Sequence, residues 1–140
     1  LDLARKFNLP VNNHNREAGK DVLDILQERL PPKGAVLHCY SEDWSFAKKA
    51  LGLNLYISFA GNVTYRNARN LYDTAKNIPL DRLVVESESP FMVPSAYRGK
   101  RNKPSYLHST VEYLAELRGT SVEEMARITW ENASRLFGLA

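Results

Sequence analysis

The sequence has one cysteine among 140 residues, and this scarcity excludes an internal disulfide framework. No apolar run approaches the roughly 18 residues that a membrane-spanning helix needs, which excludes a span of that kind. The chain does not open with a basic segment followed by an apolar one, so no signal peptide is predicted. Together these absences favour a globular protein of the reducing cytoplasm.

A strong excess of one charge is also missing, since 19 Lys and Arg stand against 16 Asp and Glu for a net charge of +3. This mild balance is compatible with a polyanionic substrate but does not by itself predict one. With 44% hydrophobic and 25% charged residues, the composition is that of a folded chain. The length then predicts a single domain over residues 1–140.

Apolar runs typical of strands alternate with amphipathic helical patterns. Strands are predicted at 11–14, 35–39, 55–59 and 83–85, and helices at about 17–30, 44–51, 65–77 and 106–118, with a last helix after Ser121. This alternation predicts an α/β fold with a parallel sheet, either a (β/α)8 barrel or an open doubly wound sheet. No glycine-rich phosphate loop follows a strand, which weakens the nucleotide-binding form of the open sheet.

Four strand–helix units amount to half of a barrel, whose full length is about 250 residues. The count therefore predicts that the N-terminal half of the barrel lies outside this sequence. Half a barrel exposes two sheet edges and an apolar inner face. We accordingly expect the chain to pair with a missing N-terminal half-barrel or to associate with itself.

Three predicted strands end in side chains that can bind a metal: His14, His38 and Glu88. Because the carboxyl ends of parallel strands meet at one edge of a sheet, we expect these residues to converge there. Imidazole and carboxylate are the usual ligands of zinc, manganese and similar ions in open catalytic sites. Glu86 leaves the last strand on the same side as Glu88, since side chains alternate with a period of two. Cys39 is expected to be a small buried side chain.

A long irregular segment, residues 87–104, follows the last strand, and segments of this length are usually functional. It carries a basic run with the potential to bind a nucleic-acid backbone, namely Arg98, Lys100, Arg101 and Lys103. Arg16, two residues after His14, is a candidate clamp for a phosphate. Of two aromatic candidates for stacking on a base, Tyr97 and Phe91, we expect Phe91 to pack in the core.

Several segments resemble, in order, those of the TatD family of metal-dependent deoxyribonucleases, which are amidohydrolase-like TIM barrels. The resemblance is carried by Leu9–Arg16, Leu37–Ser41, Leu55–Gly61, Ile78–Leu83, Glu86–Pro90, Arg98–Asn102 and Asn132–Phe137. It covers essentially the whole chain. It implies the C-terminal half of a (β/α)8 TIM-type barrel, with four parallel strands alternating with helices and two further helices at the C-terminus.

The resemblance also implies a function. His14 and His38 match two metal-ligand histidines of the family, and Glu88 stands where the family has an aspartate that binds metal and acts as base. One or two divalent ions (Mg, Mn or Zn) would then activate water for hydrolysis of DNA phosphodiester bonds. The expected contacts to the DNA substrate come from Arg16, Arg98, Lys100 and Arg101.

Two departures from the family pattern leave alternatives open. The family's first His-x-His pair and its bridging glutamate belong to the N-terminal half, and Glu88 is longer than aspartate by about 1.5 Å. The chain is therefore either part of a deoxyribonuclease, impaired by truncation and by Glu88, or a non-catalytic remnant that binds nucleic acid. Amide or ester hydrolysis is a weaker alternative within the enzymes.

Overall fold

Parallel pairing joins the four predicted strands in chain order, as seen in a computed structural model that describes residues 1–139. The strands are β1 (Val11–His14), β2 (Ala35–His38), β3 (Tyr56–Phe59) and β4 (Leu83–Val85). Their register aligns Asn13 with Leu37, Leu37 with Ile57, and Ile57 with Leu83. All carboxyl ends therefore lie at one edge of the sheet, as predicted from the alternating pattern.

Six α-helices accompany the sheet within the described residues. They are α1 (Asp2–Phe7), α2 (Gly19–Arg29), α3 (Trp44–Gly52), α4 (Arg69–Asn77), α5 (Leu107–Arg118) and α6 (Val122–Phe137). Short 3-10 turns cover Gly61–Thr64, Leu80–Arg82, Ser95–Tyr97 and Pro104–Tyr106. None of the helices in this part of the chain combines the length and apolar character required to traverse a bilayer.

Local capping explains where several helices begin and end. The Asp43 carboxylate accepts a hydrogen bond from the Phe46 backbone N–H at 2.9 Å and starts α3. Gly119 closes α5 with a left-handed backbone, φ 64°. Ser121 caps α6 by accepting from the Glu124 N–H at 3.1 Å. Glu124 does not complete a capping box, because its carboxylate binds Arg127 instead.

Helix α4 begins later than its predicted start at Tyr65. Residues 61–64 form a 3-10 turn, and the Tyr65 N–H bonds to the Asn62 carbonyl at 3.1 Å. The Tyr65 hydroxyl is committed to the Val93 carbonyl at 2.9 Å. These two contacts hold Tyr65 outside a helix, so α4 begins at Arg69.

The two faces of the sheet carry different layers. Alternate residues on one face, which we call the helix face, pack against the surrounding helices in the main core; they include Leu37, Ile57 and Leu83. The opposite face, which we call the inner face, carries Val36, Tyr56 and Val84, packed with Leu136 and Ala133 of α6. The period of two therefore separates a large helix-covered core from a smaller apolar layer.

Helix α6 is held against the start of β4 by Asn132. Its amide donates to the carbonyls of Leu80 and Leu83 at 2.6 and 2.7 Å, and the residue is only 2% exposed. Buried backbone carbonyls need a donor, and this side chain supplies one both just before β4 and at its first residue. The contact also sets the position from which Leu136 reaches the inner face.

We expect Asn132→Ala to lower the free energy of unfolding by about 2–4 kcal/mol, because two buried carbonyls lose their donor and a small cavity forms. The matched control is Asn77→Ala, which removes an exposed amide that bonds the Asp73 carbonyl at 2.7 Å; we expect it to change stability by about 0.5 kcal/mol or less. Urea unfolding followed by circular dichroism measures both. Equal effects of the two substitutions would contradict the anchoring role of Asn132.

Candidate metal centre

The polar residues of the inner face lie above its apolar layer, toward the carboxyl ends of the strands. His38 follows Val36 by two positions and therefore shares its face. Ser58 follows Tyr56 in the same way, and Glu86 follows Val84. The alternation of side chains along each strand continues past the strand end. The inner face therefore has apolar residues within the strands and polar residues at their carboxyl ends.

Three of these side chains meet in one group, formed by His38, Glu86 and Glu88. The Nδ1 atom of His38 lies 2.7 Å from Oε1 of Glu86, and its Nε2 atom lies 3.3 Å from Oε2 of Glu88. One ligand atom from each residue falls within 4.8 Å of the others. The three side chains are 20–26% exposed, so the group is accessible to a ligand yet shielded from bulk water.

The hydrogen bonds around the group do not compensate the negative charge of its two carboxylates. Glu86 accepts from the Ser58 hydroxyl through Oε2. Its Oε1 atom is buried and, despite the short approach to His38, takes part in no aligned hydrogen bond with residues 1–139. Two carboxylates directed at one neutral imidazole are unfavourable without a cation. The donor set, imidazole nitrogen and carboxylate oxygen, fits a divalent metal ion.

His14 borders this group without joining it. Its ring centroid lies 5.6 Å from that of His38, with a 48° angle between the rings, and it is exposed on the edge strand β1. The structure therefore brings together two of the predicted ligands, His38 and Glu88, and places His14 beside them. Glu86, expected only as a supporting neighbour, is a full member of the group.

Ser58 was absent from the sequence prediction, although a signal was present. It is the polar residue within the strand Tyr56–Phe59, on the same face as Tyr56, and only 3% exposed. A buried hydroxyl in a central strand needs a partner. That partner, Glu86, is 28 residues away along the chain.

Cys39 leaves strand β2 with a positive φ of 45° and is half-buried. Burial raises the pKa of its thiol to about 12, with smaller contributions from the charges of Glu86 and Glu88. The thiol is therefore protonated at neutral pH and unsuited to act as a nucleophile. This agrees with its predicted role as a small packing side chain, although it is less buried than expected.

Comparison with known proteins identifies the family. The family model described as TatD related DNase matches residues 1–138. The chain belongs to this TatD family. It is 47% identical over 138 residues to the uncharacterized metal-dependent hydrolase YcfH of Escherichia coli K12, covering 98% of this chain and 52% of that protein. It is 44% identical to the uncharacterized metal-dependent hydrolase YabD of Bacillus subtilis, covering 98% of this chain and 54% of that protein.

A solved structure agrees with the fold. YjjV, a TatD homologue from Escherichia coli, matches with a TM-score of 0.93 at 27% identity, covering 99% of this chain and 54% of YjjV. The chain spans about half the length of the relatives that it matches. The predicted fold, half of a TIM-type barrel with four parallel strands and two final helices, is confirmed.

In this TatD-family chain, Asn102 fixes the segment that carries the carboxylates, residues 86–94, which we call the carboxylate segment. Asn102 is 4% exposed, and its amide donates to the carbonyls of Ser87 and Phe91. Its backbone N–H donates to the Pro90 carbonyl at 3.2 Å. One buried side chain therefore holds the carboxylate segment, which forms no strand within the described chain.

The loop after β3 supports the carboxylate segment from the other side. A Cβ atom added to Gly61 would lie 2.1 Å from the Met92 carbonyl oxygen and 2.6 Å from the Pro94 nitrogen. The absence of a side chain thus allows two backbones to touch. Burial raises the pKa of Tyr65, whose hydroxyl donates to the Val93 carbonyl at 2.9 Å, so it remains a proton donor there.

The basic run forms a loop, residues 98–103, which we call the basic loop; its residues are exposed except for Asn102. Arg98, Lys100 and Arg101 are exposed, and the ion pairs of the described chain involve other residues. The predicted phosphate clamp Arg16 is likewise exposed, just beyond β1. These positions leave their guanidinium and ammonium groups available to an anion.

Two tyrosines close the base of the basic loop. The rings of Tyr97 and Tyr106 stack at 3.7 Å between centroids, with 5° between their planes. The Lys100 ammonium lies 5.7 Å from the centroid of Tyr97, and the Tyr97 hydroxyl lies 3.2 Å from Nε2 of His108. Tyr97 is therefore held by its neighbours, and its stacking on a base stays a prediction.

We expect Gly61→Ala to lower the free energy of unfolding by about 1–3 kcal/mol, because the new methyl group must displace the backbone of residues 92–94. Gly52→Ala is the matched control: a Cβ there meets nothing within 4 Å, and alanine in α3 should stabilise by about 0.5–1 kcal/mol. Thermal and urea unfolding compare the two. If both substitutions stabilise the chain, the close backbone packing at Gly61 is refuted.

Proposed function

We propose that this chain supplies part of the active site of a metal-dependent hydrolase that cleaves DNA phosphodiester bonds. The observation that carries the proposal is the convergence of His38, Glu86 and Glu88, whose ligand atoms lie within 4.8 Å of one another. The family description, TatD related DNase, supports DNA as the substrate. The exposed basic loop supports a polyanion over a neutral amide or ester.

His38, Glu86 and Glu88 would hold the ion, with His14 adjoining. A divalent ion bound there would supply the Lewis acidity that such sites use to activate water and a phosphodiester. Glu88 is the proposed base toward that water. Ser58 orients Glu86 by donating to Oε2, which leaves Oε1 directed at His38.

The proposed substrate contacts lie around the same edge of the sheet. Arg98, Lys100 and Arg101 bind phosphates on one side of the carboxylate segment, which Asn102 ties to the basic loop. Arg16 binds a phosphate on the β1 side. Guanidinium groups suit this purpose because they bind phosphate oxygens in pairs.

The test joins this chain to the N-terminal half-barrel of the Escherichia coli relative and measures DNA hydrolysis with Mn²⁺ or Mg²⁺. We expect Glu88→Gln and His38→Ala each to lower kcat by about a hundredfold or more, because a misplaced or missing catalytic group costs at least that much. Glu28→Gln, an exposed position on α2, is the matched control and should leave kcat unchanged.

Unchanged hydrolysis in both variants would refute the assignment of the site. A hybrid that binds Mn²⁺ and DNA but cleaves no phosphodiester would instead support the non-catalytic alternative. Isothermal titration with Mn²⁺ shows whether a variant has lost its metal ion. The Glu28→Gln control must bind Mn²⁺ as the parent hybrid does.

We also propose that the chain associates through its open sheet edges, with the remaining half of a barrel or with a second copy. β1 and β4 each pair on one side only within residues 1–139. Beside β4 lies an apolar groove of about 340 Å³ whose lining includes Val85, Leu107 and Val111, with Trp130 63% exposed. Unpaired edges flanked by apolar surface favour association.

We expect the 15.9 kDa chain to sediment at micromolar concentration as a dimer or a larger species. Trp130→Asp should weaken this association, because a charge cannot be buried in the apolar groove without a partner. Val122→Asp makes the same charge change at an exposed position of α6 outside the groove, and we expect it to have less effect. A stable monomer at this concentration would contradict association.

A further inference from the structure

Phe91 is the most prominent apolar side chain near the candidate metal centre. It was expected in the core, but it is 69% exposed. The expectation was wrong because the carboxylate segment follows no helical or strand period that predicts burial. The exposed phenyl ring follows Glu88 by three residues in the sequence.

The backbone around Phe91 is firmly held although its ring is exposed. The Phe91 N–H donates to the Glu88 carbonyl at 2.8 Å, and its own carbonyl accepts from the buried Asn102 amide. Asn102 also bonds the Pro90 carbonyl at 3.2 Å. A ring presented on a fixed backbone loses little conformational entropy when a ligand covers it.

Backbone contacts connect Phe91 to both the candidate metal centre and the basic loop. The turn from Glu88 to Phe91 brings their Cα atoms within about 7 Å of one another, so Phe91 is a near neighbour of Glu88 along the backbone. On its other side, Asn102 links the Phe91 carbonyl to the basic loop, where Arg101 and Lys103 flank it in sequence and are exposed.

We propose that Phe91 is a stacking platform for an unpaired nucleobase whose neighbouring phosphates bind the basic loop. The inference rests on the proposed function and extends it, because it names the residue that would bind a base of the DNA substrate. Aromatic rings bind bases of single strands by stacking, while nearby basic groups follow the backbone. A base paired within a duplex cannot place its face on the ring without leaving its stack.

The test measures binding with the 140-residue chain in EDTA, so that no cleavage occurs. The probes are a fluorescein-labelled ten-nucleotide oligothymidylate, an identical strand of abasic residues, and a duplex of the same length. Fluorescence anisotropy gives Kd for the parent chain and for Phe91→Ala, Phe91→Trp and Phe7→Ala. Phe7 is 60% exposed on α1 and is the matched control.

We expect Phe91→Ala to weaken binding of the oligothymidylate at least about fivefold and to leave binding of the abasic strand nearly unchanged. Phe91→Trp should restore binding, Phe7→Ala should have no effect, and the duplex should bind more weakly than the single strand. Circular dichroism and sedimentation of each variant confirm that the fold and the association state are unaltered.

Equal losses for the base-bearing and abasic strands would overturn the proposal, as would the absence of measurable binding by the parent chain. A Phe91→Ala variant that changes sedimentation but not oligonucleotide binding would also overturn it, since the ring would then be a protein contact. Each of these results leaves the hydrolysis assay of the hybrid intact, so failure of the stacking platform is distinguishable from failure of the proposed activity.

Discussion

Two carboxylates directed at one imidazole are the constraint on which the rest of the structure depends. Glu86 and Glu88 approach the two ring nitrogens of His38 at 2.7 and 3.3 Å. Such a concentration of negative charge, partly shielded from water, is held together only where the fold supplies donors and a site for a cation. Ser58 is one such donor. The period of two in β2, β3 and β4 brings all of these groups to one face.

The support for this cluster comes from loops more than from the sheet. Residues 61–65 contact the carboxylate segment through the backbone of Gly61, which has no side chain, and through the hydroxyl of Tyr65. Asn102 holds the same segment from the opposite direction. The centre is therefore assembled from segments far apart in the sequence, and its geometry depends on packing between irregular backbones. Local unfolding of either loop would disperse it.

The sequence predicted the elements with a strong period and the residues at strand ends. The bounds of β1 and β4 and the convergence of His38 with Glu88 follow from alternation and from the rule that parallel strands end at a common edge. The membership of Glu86 in the group and the exposure of Phe91 did not follow. Both depend on an aperiodic segment whose path is set by contacts with distant residues. The preference for DNA stays a prediction.

The stacked pair of Tyr97 and Tyr106 joins the two ends of the basic loop outside the core. Asn102 lies between these rings, and its amide holds the carboxylate segment. A change in the length of the loop would therefore move Asn102 and, through it, the backbone that carries Glu88. Substrate contacts and chemistry at this end of the sheet are thus mechanically coupled.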